Sequence, residues 1–311
     1  MTKKSTGAGP HWGSKPKFRT GRRQTLIGWL FMMPFTLVFL TFLVAPLFYA
    51  AYLSSYQSAL VGGTKFVLFD NYFKALTDPE FLEGVGFVLR FSVILIPLQM
   101  GLSLVIALLL DQITTKFSKV ARLMIFLPYA IPLVIGALMW GFLYSKNFGP
   151  MGELFGLIGA IPPELLSREL IFFGLLNVVT WQWAGYYMII IYAALQGIDP
   201  TLYEAARIDG ASNLQIMLRI KVPLVTPALV LILIFALIGT LQFFNEPQIL
   251  RPLAGGAIDA SFTPNIYGYQ QAFLLGNFNY GATISFVLGA VVFVLVYTFI
   301  FATRRRGGFM L

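Results

Sequence analysis

The sequence predicts an all-α polytopic membrane protein with six transmembrane helices and both termini cytoplasmic. Three observations carry this. Apolar residues make up 58% of the 311 residues and charged residues only 11%, against about 25% charged in soluble domains. Apolar runs recur at about 26–54, 87–110, 123–144, 170–194, 222–244 and 282–303, each able to supply the roughly 20 residues that cross the hydrocarbon core. Lys and Arg are divided unequally between the segments that join them. Mean hydropathy is +0.77. With so apolar a chain, the net charge of +9 reports topology rather than nucleic-acid binding. There is no cysteine, so no disulfide or cysteine-bound metal enters the argument. The single histidine, His11, lies in a Gly/Pro/Lys-rich tail and reads as solvated.

Residues 1–25 form a polar tail bearing Lys3, Lys4, Lys15, Lys17, Arg19, Arg22 and Arg23. The uncharged run at 26–54 is too long for a signal-peptide core and lacks a clear cleavage site, so it reads as a retained span. Backbone groups in lipid must bond internally, which makes the spans helices. The apolar/polar alternation of a barrel is absent. With the N-terminus inside, sixteen Lys and Arg fall on inner segments and five on outer loops, with Arg90 at the outer end of the second span. The positive-inside rule therefore puts both termini, including the 304–311 tail, in the cytoplasm. Pro97 in the second span and Pro128 and Pro132 in the third predict kinks. Gly136, Gly141, Gly281 and Gly289 are candidate close-packing contacts. The loops 55–86, 145–169 and 247–281 fall outside and carry turn formers and aromatics.

Between the fourth and fifth spans lies a polar island at 199–223. Asp199-Pro200 is a helix start, Asp as cap and Pro at the first helical position. The short helix runs to about Ile208 and Gly210 suits its stop. Ser212 with Gln215 has capping-box spacing and starts a second helix, on which Leu214, Met217 and Leu218 share a face. Spacing alone is satisfied equally by an interfacial linker and by a docking elbow.

Glu204-Ala205-Ala206, then Gly210, then Ile220-Lys221-Val222-Pro223 resembles the EAA loop of binding-protein-dependent ABC importer permeases; Val222 stands where Leu is usual. The resemblance runs from about Phe69 onward. Asp70-Asn71-Tyr72 and Asp78-Pro79-Glu80-Phe81 look like the carbohydrate branch of that family, and Phe244–Leu250 looks like the first permeases for maltose and glycerol phosphate. Leu253–Ala257 replaces the Asn-Gly-Gly-Pro signature that often follows, so the sugar is not fixed. The resemblance implies a type I importer bundle in a bacterial or archaeal inner membrane. It implies a heterodimer with a second permease, two cytosolic ATP-binding subunits, an extracytoplasmic solute-binding protein, and a sugar or sugar derivative as cargo. Tyr203, Glu204, Ala205, Ala206, Arg207, Asp209 and Gly210 would form the ATPase-coupling loop. ATP binding would close the ATPase dimer, push this loop and open the spans outward; hydrolysis would reset them. The sequence has no G-x-x-x-x-G-K-[ST] phosphate loop. ATP and Mg are expected on the partner ATPase, with no cofactor or metal and no bond chemistry in this chain.

Polar groups in spans are costly and mark candidate substrate contacts. Gln242, Asn245 and Glu246 fall on one face at the outer end of the fifth span, a helix that Pro247 would end. Asn177, Trp181 and Gly185 form one stripe on the fourth span, and Gln182 and Tyr186 another. Amides and carboxylates bond sugar hydroxyls and aromatic rings pack on sugar faces. The same amides also serve as glue between helices, and Trp183, Tyr186 and Tyr187 fit an interfacial belt. Glu246 reads equally as a solvated helix-end carboxylate. A stand-alone secondary transporter or channel would more often show mid-membrane ion-coupling charges or paired broken spans. An intramembrane enzyme would need convergent His, Asp, Ser or metal ligands. The spans show neither pattern.

Overall fold

A computed structural model describes residues 22–59, 63–112, 116–145 and 149–305. Most of the basic tail, His11, Lys146 and residues 306–311 lie outside the described residues. The chain divides into two units, 1–50 and 51–311. The described part of the first is helical: α1 (Arg22–Phe39), a wide π turn (Leu40–Val44) and the start of α2 (Ala45–Ser54). From Leu26 to Ser54 it carries no charged residue. A helix apolar on all sides is one built to face lipid.

The second unit is the bundle. A hairpin, β1 (Tyr56–Ala59) with β2 (Gly63–Phe66), pairs Tyr56 with Phe66 antiparallel. Then come α3 (Asp70–Thr77), α4 (Pro79–Gln112), α5 (Lys116–Ala130), α6 (Leu133–Leu143), α7 (Pro150–Leu157) and α8 (Ile171–Gln196). The polar island gives α9 (Thr201–Ile208), α10 (Asn213–Ile216), a π turn (Met217–Lys221) and α11 (Val222–Leu224). The chain continues with α12 (Thr226–Leu241), α13 (Asn245–Leu250), α14 (Pro264–Tyr269), a π turn (Gln270–Leu274) and α15 (Phe278–Arg305).

Five helical stretches are long and apolar enough to cross a membrane, and the bent pair Ser118–Ala130 with Leu133–Leu143 makes a sixth. That pair departs from the expected kinked helix: it breaks by 95°, with Pro132 extended (φ −53°, ψ 130°). Proline excludes its predecessor from the helical region and has no N–H to donate. The second span starts at Pro79, eight residues before the apolar run suggests, because Asp78 Oδ1 accepts the Glu80 N–H at 3.1 Å and caps it. The expectation that Pro247 ends the fifth span is overturned. The helix stops at Leu241, Phe244 leaves helical geometry (φ −143°, ψ −50°), and Pro247 sits in the first turn of α13, where a missing N–H costs nothing.

Without a hydrophobic drive in lipid, close packing and interhelical hydrogen bonds hold such bundles. On α4, Gln99 Nε2 donates to the Val179 carbonyl at 3.0 Å and Ser103 Oγ to that of Ala184 at 2.8 Å, riveting it to α8. A Cβ on Gly185 would lie 1.9 Å from the Ile125 carbonyl oxygen, so α5 rests backbone-close on α8. Gly136 approaches Gln182, Gly141 approaches Leu250 and Leu253, and Gly281 approaches Ala272; Gly289 faces open space. At the other end of α4, Asp78 Oδ2 accepts from Tyr267 at 2.7 Å and Tyr280 at 2.6 Å, joining α4 to α14 and α15.

Candidate functional site

The island folds by local rules. Asp199 Oδ1 accepts the Thr201 N–H at 2.9 Å and starts α9. Bonds from the Thr201 backbone and side chain hold the Asp199 carboxyl below its ordinary range. Tyr203, Glu204, Ala205, Ala206 and Arg207 lie on α9 and Asp209 closes it. Gly210 then turns the chain at φ +82°, a conformation that glycine adopts without steric cost. Ser212 and Gln215 form the full capping box, Gln215 N to Ser212 Oγ at 3.3 Å and Ser212 N to Gln215 Oε1 at 2.7 Å. No residue of α9 is buried. Tyr203 and Ala206 are half-buried, and Glu204, Ala205, Arg207, Asp209 and Gly210 are exposed. Ile208 is 86% exposed, and the apolar pair Leu214 and Leu218 is also exposed. The face that Leu214, Met217 and Leu218 were expected to share is thus largely uncovered, with Met217 alone half-buried.

At the base of the island lies a cluster that sequence reasoning missed. Lys221 Nζ pairs with Asp111 Oδ2 at the end of α4, and Gln196 Nε2 at the end of α8 donates to Asp111 Oδ1 at 2.8 Å. Lys221 Nζ also sits 4.7 Å from the centre of the Tyr203 ring. Burial and then the Asp111 charge push the Tyr203 hydroxyl above its ordinary range. These residues line a cavity of about 500 Å³ with Arg207 and Asn213. The available signal was a lone carboxylate, Asp111, closing an apolar span, with Lys221 in the island as a prospective partner.

Within the bundle, Gln242, Asn245 and Glu246 come together on a cavity of about 210 Å³ that Gln99, Trp183 and Tyr187 also line. The break between α12 and α13 places them there. Gln242, Phe244 and Asn245 also border a neighbouring hollow of about 630 Å³ beside Tyr269 and Phe273. Glu246 is 6% exposed, so it is a buried carboxylate and not a solvated helix end. The fourth-span candidates do not line the 210 Å³ cavity. Asn177 Nδ2 donates to the Tyr144 hydroxyl at 2.7 Å, and that hydroxyl donates to the Gly174 carbonyl at 3.2 Å. Gln182 Nε2 donates at 3.0 Å to the Ile131 carbonyl, at the break before Pro132. Trp181 packs edge-on against Trp140, and Tyr186 stacks on Tyr129 with ring centres 4.3 Å apart. Trp183 and Tyr187, read as belt residues, line the cavity instead.

A mostly helical, multi-pass bundle with one short hairpin, an internal polar cavity and an uncovered helical elbow has the build of a membrane transport component. Residues 101–305 match the family described as binding-protein-dependent transport system inner membrane component. The chain belongs to that family: it is a permease subunit of an ABC importer, not an enzyme. It is 30% identical over 289 residues to the lactose transport system permease protein LacF of Rhizobium radiobacter, covering 90% of this chain and 94% of that one. It is 28% identical over 298 residues to the trehalose/maltose transport system permease protein MalF of Thermococcus litoralis, covering 95% and 97%. A chain of the bacterial alginate ABC transporter, solved in complex with a periplasmic protein bound to alginate pentasaccharide, has the same fold. Its TM-score is 0.80 at 21% identity, over 91% of this chain and 96% of that chain.

Proposed function

We propose that this permease forms half of a translocation pore for a sugar or sugar derivative. It pairs with a second permease, receives cargo from an extracytoplasmic solute-binding protein, and is driven by two cytosolic ATP-binding subunits that hold ATP and Mg. The 199–223 island is the ATPase-coupling loop, on the cytoplasmic side with both termini. Gln242, Asn245 and Glu246 offer hydrogen-bonding groups to the cargo, with Trp183 and Tyr187 as the aromatic walls. Relatives named for lactose, trehalose/maltose and arabinooligosaccharide transport support the cargo class.

The observation that carries this reading is α9. A helix of eight residues that buries none of them is held by its caps and is free to seat in a partner. The chain has no cysteine, so Ala205→Cys creates a unique thiol on its exposed face. We expect a photo-crosslinker on that thiol, in native membranes, to capture a subunit that mass spectrometry identifies by its phosphate-loop sequence. The same label at Asp259→Cys, on the opposite side, should not capture it. Capture of lipid or of this chain alone from both positions sinks the coupling-loop reading.

A further inference from the structure

A push on α9 has to reach the spans by some route, and α9 has no buried side chain of its own to provide it. Beside the apolar packing of Ile216, Met217 and Val222, two polar contacts of the island with the bundle converge on one carboxylate. Asp111 closes α4, accepts from Gln196 at the end of α8, and pairs with Lys221, which leads into α11 and α12. Lys221 in turn lies over the ring of Tyr203, on α9 itself. The side chains of the pair are only 13% and 9% exposed, so salt screens them weakly. It is the one ion pair recorded among the described residues. Beyond it, α4 and α8 are bonded along their length through Gln99 and Ser103.

We propose that Asp111 and Lys221 are the positioning pair through which movement of the coupling loop is delivered to α4 and α8 together. The inference rests on the reading of 199–223 as the coupling loop. Removing either charge leaves the other half-buried and without its opposite charge, and the loop is then tied to the spans by the apolar contacts of Ile216, Met217 and Val222 and by weak polar ones such as Gln112 Nε2 to Met217 Sδ at 3.7 Å.

The test uses the whole transporter, copurified from its native host and placed in liposomes with its solute-binding protein. The readouts are the ratio of ATPase rates with loaded and without binding protein, the solute imported per ATP, and the ATPase subunit retained. Asp111→Asn should lower the stimulation ratio roughly tenfold, as expected for one lost charge-assisted contact, and lower solute per ATP with it. The exchanged double variant, Asp111→Lys with Lys221→Asp, should recover much of both, and Lys221→Arg should keep them. Gln196→Leu, which spares the ion pair and cuts only the tie to α8, should reduce solute per ATP and decides the matter if Asp111→Asn does not fold. An unchanged ratio in Asp111→Asn, or unchanged solute per ATP in Gln196→Leu, overturns the inference. So does loss of the ATPase subunits from the variant complex, which would assign the pair to assembly. A wild-type complex with no stimulated ATPase overturns the proposed function instead.

Discussion

The fourth span and the short helix after it put polar residues to opposite uses. In α8, Asn177 and Gln182 are spent inward, on the Tyr144 hydroxyl and on a carbonyl stranded at the break of the third span. In α9, Glu204 and Arg207 form no ion pair recorded among the described residues and remain exposed. One helix is fixed along its length by its neighbours; the other is held by the turns at its ends and by Tyr203 under Lys221. A polar side chain on a span of this chain is therefore not marked as a substrate contact by its position alone.

The sharpest way to break that contrast is to unseat α8. Gly185→Ala puts a Cβ 1.9 Å from the Ile125 carbonyl oxygen. We expect a loss of about 4 kcal/mol or more, at the severe end for single substitutions, and no monodisperse protein on size exclusion. Gly289→Ala, which meets nothing within 4 Å, should elute as wild type. A smaller effect follows from Gln182→Leu, which orphans the Ile131 carbonyl. Interhelical bonds in membranes are worth about 0.6–2 kcal/mol, so the melting temperature in detergent should fall by a few degrees. Asp199→Ala sharpens the other side. It removes the side-chain bond that starts α9, a cap worth about 1 kcal/mol, but only locally, because α9 contributes no buried residue. Amide exchange at 201–204 should quicken about fivefold with the melting temperature unmoved.

The smallest effect concerns Asp78. Burial works against its charge, but bonds from Tyr280 and Tyr267 and from the Phe81 and Glu80 backbone outweigh it and hold the carboxyl below the ordinary range. Its contribution is therefore present above the unfolded value, about 3.9, and is lost as pH falls through the lowered folded value. Part-exposure and screening keep it modest. Acid melts of Asp78→Asn should be less steep with pH than those of wild type.

Features written in neighbouring residues were legible. Asp199, Gly210 and the Ser212–Gln215 box each obey a rule that spans four residues or fewer, and each stands as read. Asp78-Pro79 follows the same rule as Asp199-Pro200, but the apolar run begins only at about Phe87, so hydropathy alone starts the span too late. Asp111 and Lys221 are 110 residues apart, beyond the reach of any local pattern. Helical spacing showed that Asn177 and Trp181 share a face, and that Gln182 and Tyr186 do, but spacing says nothing of which neighbour a face meets. Gln242, Asn245 and Glu246 were grouped correctly for a wrong reason: they meet across a helix break, not along one face.

The π turn at Met217–Lys221 has an evolutionary consequence. Such a turn holds one residue more than an α-helical turn. Deleting a single residue there would restore regular helix and swing what precedes it by about 100° relative to α12. Lys221 would keep its place beside Asp111 while Ser212 and α9 moved around the axis, re-aiming the elbow while leaving the sequence of α9 unchanged. A one-residue gap at this point in a lineage would therefore mark a changed direction of the elbow and not the neutral trimming of a loop.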